Sequence, residues 1–268
     1  MLVSLDPIRI ILVEPAGALN VGAIARVMKN FGLSNLVLVN PHCDPTGIEA
    51  QQMAVHAKEV LAQASQVATL PEALVGCQWA IATTARPRAL GPQLESPKTV
   101  LSELIKPGQT LQTGLIFGPE DRGLSNEELK YAQRFICIPS NPTYASLNLA
   151  QAVAICAYEL YQLVQVEPAN SETVASPPQA ELSTLATLDE LERYHQQLEA
   201  VLLKIGYLYP HTAESRMEKF RHLYNRSRLS KVEVAMLRGV LSQMEWALQV
   251  NTCEKLNDST KNLEEPLS

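Results

Sequence analysis

"GLIFGPEDRGLSNEEL", Gly114 to Leu129, is the stretch on which the fold turns. Its opening residues form a continuous apolar run of strand length between two glycines. Such runs are buried on both faces, as in a parallel sheet covered by helices. Gly118-Pro119-Glu120 stops the strand, and Ser125 with Glu128 makes a capping-box pattern where a helix should begin. Strand, glycine turn and capped helix make one βα unit. In open α/β sheets the loops at strand C-termini are where ligands sit. Gly118 and Gly123 allow close backbone approach to a ligand there, although the pattern alone equally fits an ordinary βα turn.

The same texture extends outward. "IRIILV" (Ile8–Val13), "LVLV" (Leu36–Val39), "WAIATT" (Trp79–Thr84) and "FICIP" (Phe135–Pro139) are further apolar runs of strand length. Between the first two, Val21, Ile24, Met28 and Phe31 recur at helical spacing and Gly32 is placed to end the helix. The expected class is α/β with a mostly parallel sheet. After Phe135–Pro139 no charged residue occurs until Glu159, and the helix that follows is apolar or Ala on nearly every side. A helix of that kind is expected to be buried all round, which one α/β domain seldom achieves, so a symmetric partner is inferred. Ser140, Asn141, Thr143, Tyr144, Ser146 and Asn148 crowd its entrance. They suit a neutral polar ligand such as an adenosine moiety, or else a long N-cap.

The chain has 268 residues, 46% apolar and 19% charged, which describes a globular protein rather than a disordered one. Its net charge of −6 argues weakly against bulk binding to a polyanion and leaves room for a local basic face. Five scattered cysteines, none in a CxxC pair, point away from zinc sites and disulfide frameworks and toward a reducing, cytosolic setting. The N-terminal apolar run has no cationic region before it, so no signal peptide is expected. No apolar run reaches the ~20 residues of a membrane span, so neither a membrane nor a metal is expected as a partner.

"VEPANSETVASPPQAELSTLA", around 166–186, reads as a linker. Beyond it the pattern is purely helical, to about residue 250, with Leu188, Leu191, His195, Leu198, Leu202 and Ile205 in one stripe and Val234, Leu237, Leu241, Met244 and Leu248 in another. Thr187 with Glu190 and Ser230 with Glu233 are further capping boxes. Residues 251–268 read as a disordered tail. Within the helical part, Arg216, Lys219, Arg221, Arg226, Arg228 and Lys231 face a single acid, Glu218, with Phe220, His222 and Tyr224 interleaved. That concentration reads as a polyanion footprint, with a solvated helix face as the plain alternative.

The remaining constellation is "EPAGALNVGAIARVMKNFG". Gly17 and Gly22 frame a strand-to-helix turn that could cradle a phosphate. Ala23 and Ile24 stand where a P-loop needs Lys and Ser/Thr, and no GxGxxG is present. Gly22, Arg26 and Lys29 share one face opposite the apolar stripe. That face is either a solvated basic surface or an RNA-phosphate contact.

Asn20…Arg26, then Gly118-x-Glu120…Gly123-Leu124-Ser125, then Pro139…Ser146-Leu147-Asn148 resemble, in order and spacing, the motifs of the SpoU branch of the SPOUT methyltransferases. With the helical tail the resemblance extends to a tRNA (cytidine/uridine-2'-O-)-methyltransferase and covers most of the chain. It implies a SPOUT domain over 1–165 with a C-terminal trefoil knot, a linker over 166–186 and a helical RNA-binding extension over 187–250. It further implies a homodimer that uses S-adenosyl-L-methionine on tRNA, at a cytidine or uridine of the anticodon loop. The cofactor residues it implies are Thr83, Thr84, Ala85, Gly118, Ile138, Tyr144, Ala145, Ser146 and Leu147, and the catalytic residues Arg26, Ser146 and Asn148. Asn20, Lys29, Arg86, Arg88 and Arg122 join the basic helical residues as implied RNA contacts, and Glu120 and Gly123 order the second motif. Another RNA target, or a non-catalytic RNA-binding dimer, stays open at this point.

Overall fold

The computed structural model describes residues 4–85, 94–105, 111–166 and 185–261. Arg86, Arg88, most of the expected linker and residues 262–268 lie outside that description. The chain divides into two compact units, Met1–Asp189 and Glu190–Ser268.

The first unit is α/β. In chain order come β1 (Ile8–Val13), α1 (Ala18–Asn30), β2 (Asn35–Val39), α2 (Ile48–Ala54), α3 (Lys58–Ala62), β3 (Ser65–Val67) and α4 (Leu70–Ala73). They are followed by β4 (Trp79–Thr83), β5 (Leu94–Glu95), α5 (Pro97–Leu101), β6 (Thr113–Phe117), α6 (Asn126–Leu129), β7 (Arg134–Ile136) and α7 (Leu149–Val166). The seven strands make one sheet in the order β3-β2-β1-β6-β4-β7-β5, and every pairing is parallel.

Strand periodicity divides the core in two. In β1, Ile10 and Leu12 join the layer of α1, α2, α3, α5 and α7, while Ile11 and Val13 join the layer of α4 and α6. Each apolar strand run is therefore apolar because it serves both layers. β3 and β5, which no apolar run announced, are the two sheet edges.

One helix is only partly covered by its own chain, and another departs from the sequence expectation. α7 buries Leu149, Val153, Cys156, Ala157, Leu160 and Val164 but leaves Tyr158 48% and Tyr161 37% exposed, so within one chain it is not buried all round. Gly22 does not belong to a solvated face with Arg26 and Lys29. It is fully buried, and a Cβ there would lie 2.2 Å from the Ala50 carbonyl oxygen, so the glycine lets α1 and α2 touch backbone to backbone.

The second unit is built from most of α8 (Leu188–Lys204), with α9 (Ala213–Ser227) and α10 (Lys231–Lys261). Leu191, Tyr194, His195, Leu198 and Val201 form the inward stripe of α8. α10 runs past the expected end at 250, because no proline or glycine stands between Gly239 and Pro266 to stop it. Among the described residues no helix is long and apolar enough to cross a membrane, and no His/Cys/Asp/Glu group could hold a metal. Cys43, Cys77, Cys137 and Cys156 are free thiols.

Candidate active site

A cavity of about 260 Å³ opens at the C-terminal ends of β4, β6 and β7. Thr83, the last residue of β4, forms one wall with Thr84 and Ala85 after it. The loop from Phe117 to Leu124 forms the second. Ile136 and Ile138 close the third side, and Ala145, Ser146 and Leu147 form the fourth with Leu149 and Ala152 of α7. Of the residues expected to hold a cofactor, Thr83, Thr84, Ala85, Gly118, Ile138, Ala145, Ser146 and Leu147 thus meet at one cavity. Tyr144 does not. Its side chain is 80% exposed and outside the wall.

The loop keeps its shape through backbone contact. A Cβ on Gly118 would lie 2.4 Å from the Leu124 amide nitrogen, and Gly123 has φ +67. Gly118 is therefore required by the chain folding back on itself, not by a ligand pressed against it. α6 starts from the capping box read in the sequence, with the Ser125 side chain accepting from the Glu128 amide and Glu128 accepting from the Ser125 amide.

One amide joins the three motifs. Asn20 Nδ2 donates to Glu120 Oε1 at 2.8 Å, and Asn148 Nδ2 donates to Asn20 Oδ1 at 3.0 Å. Glu120 also accepts from the amides of Ala16 and Gly17. Burial pushes the Glu120 carboxyl up, but the hydrogen bonds from Asn20 and from backbone amides outweigh it and hold the group below the usual carboxylate range. Asn148 Oδ1 accepts from the amides of Ala150 and Gln151, so this residue is also the N-cap of α7. Both ends of its side chain are engaged within the protein. Ser146 lines the cavity, and Ser140 Oγ donates to the Ala145 carbonyl to hold that segment.

The basic residues separate into two groups. Arg26 is exposed on α1, outside the cavity wall, and has no hydrogen-bond or ion-pair partner among the described residues. Lys29, expected to reach RNA, instead donates to the His56 carbonyl at 2.6 Å and pairs with Glu59. Arg122, also expected to reach RNA, lies at the cavity wall and bridges Glu14 at 2.7 Å and both oxygens of Glu128 at 2.9 Å. It ties the end of β1 to α6. Nothing in the residue pattern announced Glu14 as its partner, since the two are far apart in sequence.

In the helical unit, Arg221 departs from the expected surface footprint. It lies one turn after Met217 and one before Tyr224, on the inward stripe of α9, and pairs there with Glu192. Arg216 donates to the Tyr207 carbonyl at 3.0 Å, and Lys231 lies 4.0 Å from Glu190. Lys219 and Arg228 are exposed, and the side chain of Arg226 lies outside the description.

The family model described as the SpoU rRNA Methylase family matches residues 7–158. The chain belongs to the SpoU methylase family. A second model, described as the tRNA methyltransferase TrmJ C-terminal domain, matches residues 189–255 of this SpoU methylase. The tRNA (cytidine/uridine/adenosine-2'-O-)-methyltransferase TrmJ of Pseudomonas aeruginosa (strain UCBPP-PA14) is 41% identical over 248 residues, 90% of this chain and 95% of that protein. The tRNA (cytidine/uridine-2'-O-)-methyltransferase TrmJ of Escherichia coli (strain K12) is 37% identical over 250 residues, covering 93% and 100%. Among solved structures, TrmJ from Z. mobilis ZM4 superposes with a TM-score of 0.75 at 34% identity, over 88% of this chain and 98% of that one. The chain is thus a methyltransferase with the SPOUT-class parallel sheet and a helical extension.

Proposed function

We propose that this SpoU methylase transfers a methyl group from S-adenosyl-L-methionine to a ribose 2'-hydroxyl of tRNA, at a cytidine or uridine of the anticodon loop. The observation that carries the reading is the cavity lined by the second and third family motifs, to both of which the first is tied through Asn20, in a chain similar to tRNA 2'-O-methyltransferases over 90% and 93% of its length.

The cavity suits the donor. At about 260 Å³ it lies just below the roughly 300–1,000 Å³ usual for small-molecule sites. Its walls are mostly apolar or hydroxylic, fit for an uncharged nucleoside, while Glu120 and Asp121 at one side complement a cationic sulfonium. Ile138, Leu147, Thr83, Thr84 and the Ala145–Ser146 segment would hold the donor. When bound, the donor supplies a methyl on a sulfonium, which is already an excellent leaving group.

The protein's own task is then alignment and handling of the hydroxyl proton. Arg26 is no base, because guanidinium keeps its proton to above pH ~12. Standing outside the donor cavity on the solvent side of α1, it is placed for a polyanion. It clamps the phosphate beside the target ribose and stabilises alkoxide charge as it develops. Ser146 offers a hydroxyl to substrate, while Asn148 positions the third motif through Asn20.

The same reading makes the enzyme a cytosolic homodimer with a trefoil-knotted backbone around the cavity. The mostly apolar α7, whose one charged residue is Glu159, with Tyr158 and Tyr161 against Phe31, is the surface offered for that dimer. The helical unit grips the body of the tRNA, with Arg216, Lys219, Arg228 and Lys231 among its exposed cations. Calorimetric titration of the full chain with S-adenosyl-L-methionine tests the donor site. One saturable site per chain, abolished by Ala145→Trp, is expected. Unaltered binding in that variant, or none in the parent, contradicts the assignment.

A further inference from the structure

One surface feature of the helical unit is used neither by the cavity nor by its core. α8 ends at Lys204, and Gly206, with φ +76, turns the chain. The amides of Tyr207 and Leu208 both donate to the Leu202 carbonyl at 3.0 Å. Leu208 is buried to 2%, and the Thr212 amide donates to the Tyr209 carbonyl at 2.9 Å. The turn is thus fixed at its start, middle and end. On either side of the Leu208 anchor, Tyr207 is 53% and Tyr209 54% exposed.

Each exposed ring is held by a neighbour. The Arg216 guanidinium lies 5.8 Å from the Tyr207 ring centre, and Phe220 meets that ring at 6.4 Å. His211 stacks on Tyr209 at 6.0 Å with 25° between the planes. Lys219, one turn after Arg216, is exposed. Two half-exposed aromatic rings on a turn fixed by backbone hydrogen bonds, one of them beside the Arg216 guanidinium and with Lys219 a turn further along α9, match what an unpaired nucleotide requires. Its base stacks on a ring and its phosphate meets a charge, whereas a base within a duplex has no free face to offer.

We infer that the turn from Gly206 to His211 is a base-stacking platform for unpaired RNA nucleotides. Tyr207 and Tyr209 supply the rings, and Arg216 and Lys219 the phosphate contacts. The inference rests on the proposal that RNA is the substrate and adds a named site and a preferred form of RNA to it. It separates the helical unit's role from general charge attraction, which would not distinguish strands from duplexes.

The test measures binding of the full chain to a labelled single-stranded RNA oligonucleotide and to the same sequence as a duplex. Tyr207→Ala and Tyr209→Ala should each weaken single-strand binding roughly five- to fifty-fold and leave duplex binding unchanged. Tyr207→Phe and Tyr209→Phe should bind like the parent, and a parent-like circular dichroism spectrum and melting transition in all four, with duplex binding kept, excludes misfolding of the helical unit. Equal loss for both RNAs, or no loss, overturns the platform while leaving RNA as substrate intact. A parent that binds neither RNA overturns both readings. Alanine variants that change sedimentation but not RNA affinity show a contact between protein surfaces and also overturn it.

Discussion

Asn20 is read from sequence as an RNA contact, yet its amide is occupied at both ends, by Glu120 and by Asn148. Removing it strands a carboxylate oxygen in a partly buried place and leaves the exposed Asn148 amide without its partner. Asn20→Ala should therefore lower stability by roughly 1–2 kcal/mol and weaken donor affinity, read by thermal melting and calorimetry. Wild-type values for both would contradict the clasp. Arg26→Ala should behave in the opposite way, with donor affinity retained and most turnover lost. A normal rate, or abolished donor binding, would refute the clamp. At this scale most of the cavity wall was legible from motif order, with Thr83, Thr84 and Ala85 added by the resemblance, while Tyr144 and Arg26 lie outside it. Their partners were not, because Glu14 with Arg122 and Asn20 with Asn148 are brought together only by the order of the strands.

At the scale of elements, capping chemistry and apolar runs carried most of the information. Ser125 with Glu128 and Ser230 with Glu233 bond as their spacing implies. β3 and β5 escaped because an edge strand pairs on one side and needs no continuous apolar run; Ser65-Gln66-Val67 and Leu94-Glu95 have none. Gly22 was misplaced for another reason. A glycine in a helix marks a close approach, and sequence does not say whether a phosphate or a second helix approaches. Because a backbone oxygen of α2 occupies that space, Gly22→Ala should cost about 1–3 kcal/mol. Urea unfolding measures it, and a neutral result would show that α1 and α2 can separate freely.

For the molecule as a whole, the two units are expected to respond differently to pH. His195 is 2% exposed in the helical unit, and its Nε2 has no hydrogen-bond partner among the described residues. Burial, reinforced by the Arg221 charge, pushes its pKa down to about 4. The folded unit thus holds a neutral imidazole, while the unfolded chain takes up a proton near its ordinary value of 6.5. Between those values the unfolded state binds more protons, so stability should fall as pH drops from about 6.5 to 4, by on the order of 2–3 kcal/mol. Denaturant unfolding of the helical transition at several pH values checks this, and His195→Leu should flatten the dependence. Glu120, with its lowered pKa, stabilises the α/β unit above the ordinary carboxylate range, an effect lost as pH falls through its folded value.

The most direct measurement of the central claim is methyl transfer itself. The full chain is incubated with an unmodified tRNA transcript and S-adenosyl-L-methionine, and the RNA is then digested and mapped by mass spectrometry. A single methyl on the 2'-oxygen of an anticodon-loop cytidine or uridine is the predicted result, present with the parent and nearly absent with Arg26→Ala. Methylation on a base, or an RNA unchanged in mass despite saturating donor, would contradict the account.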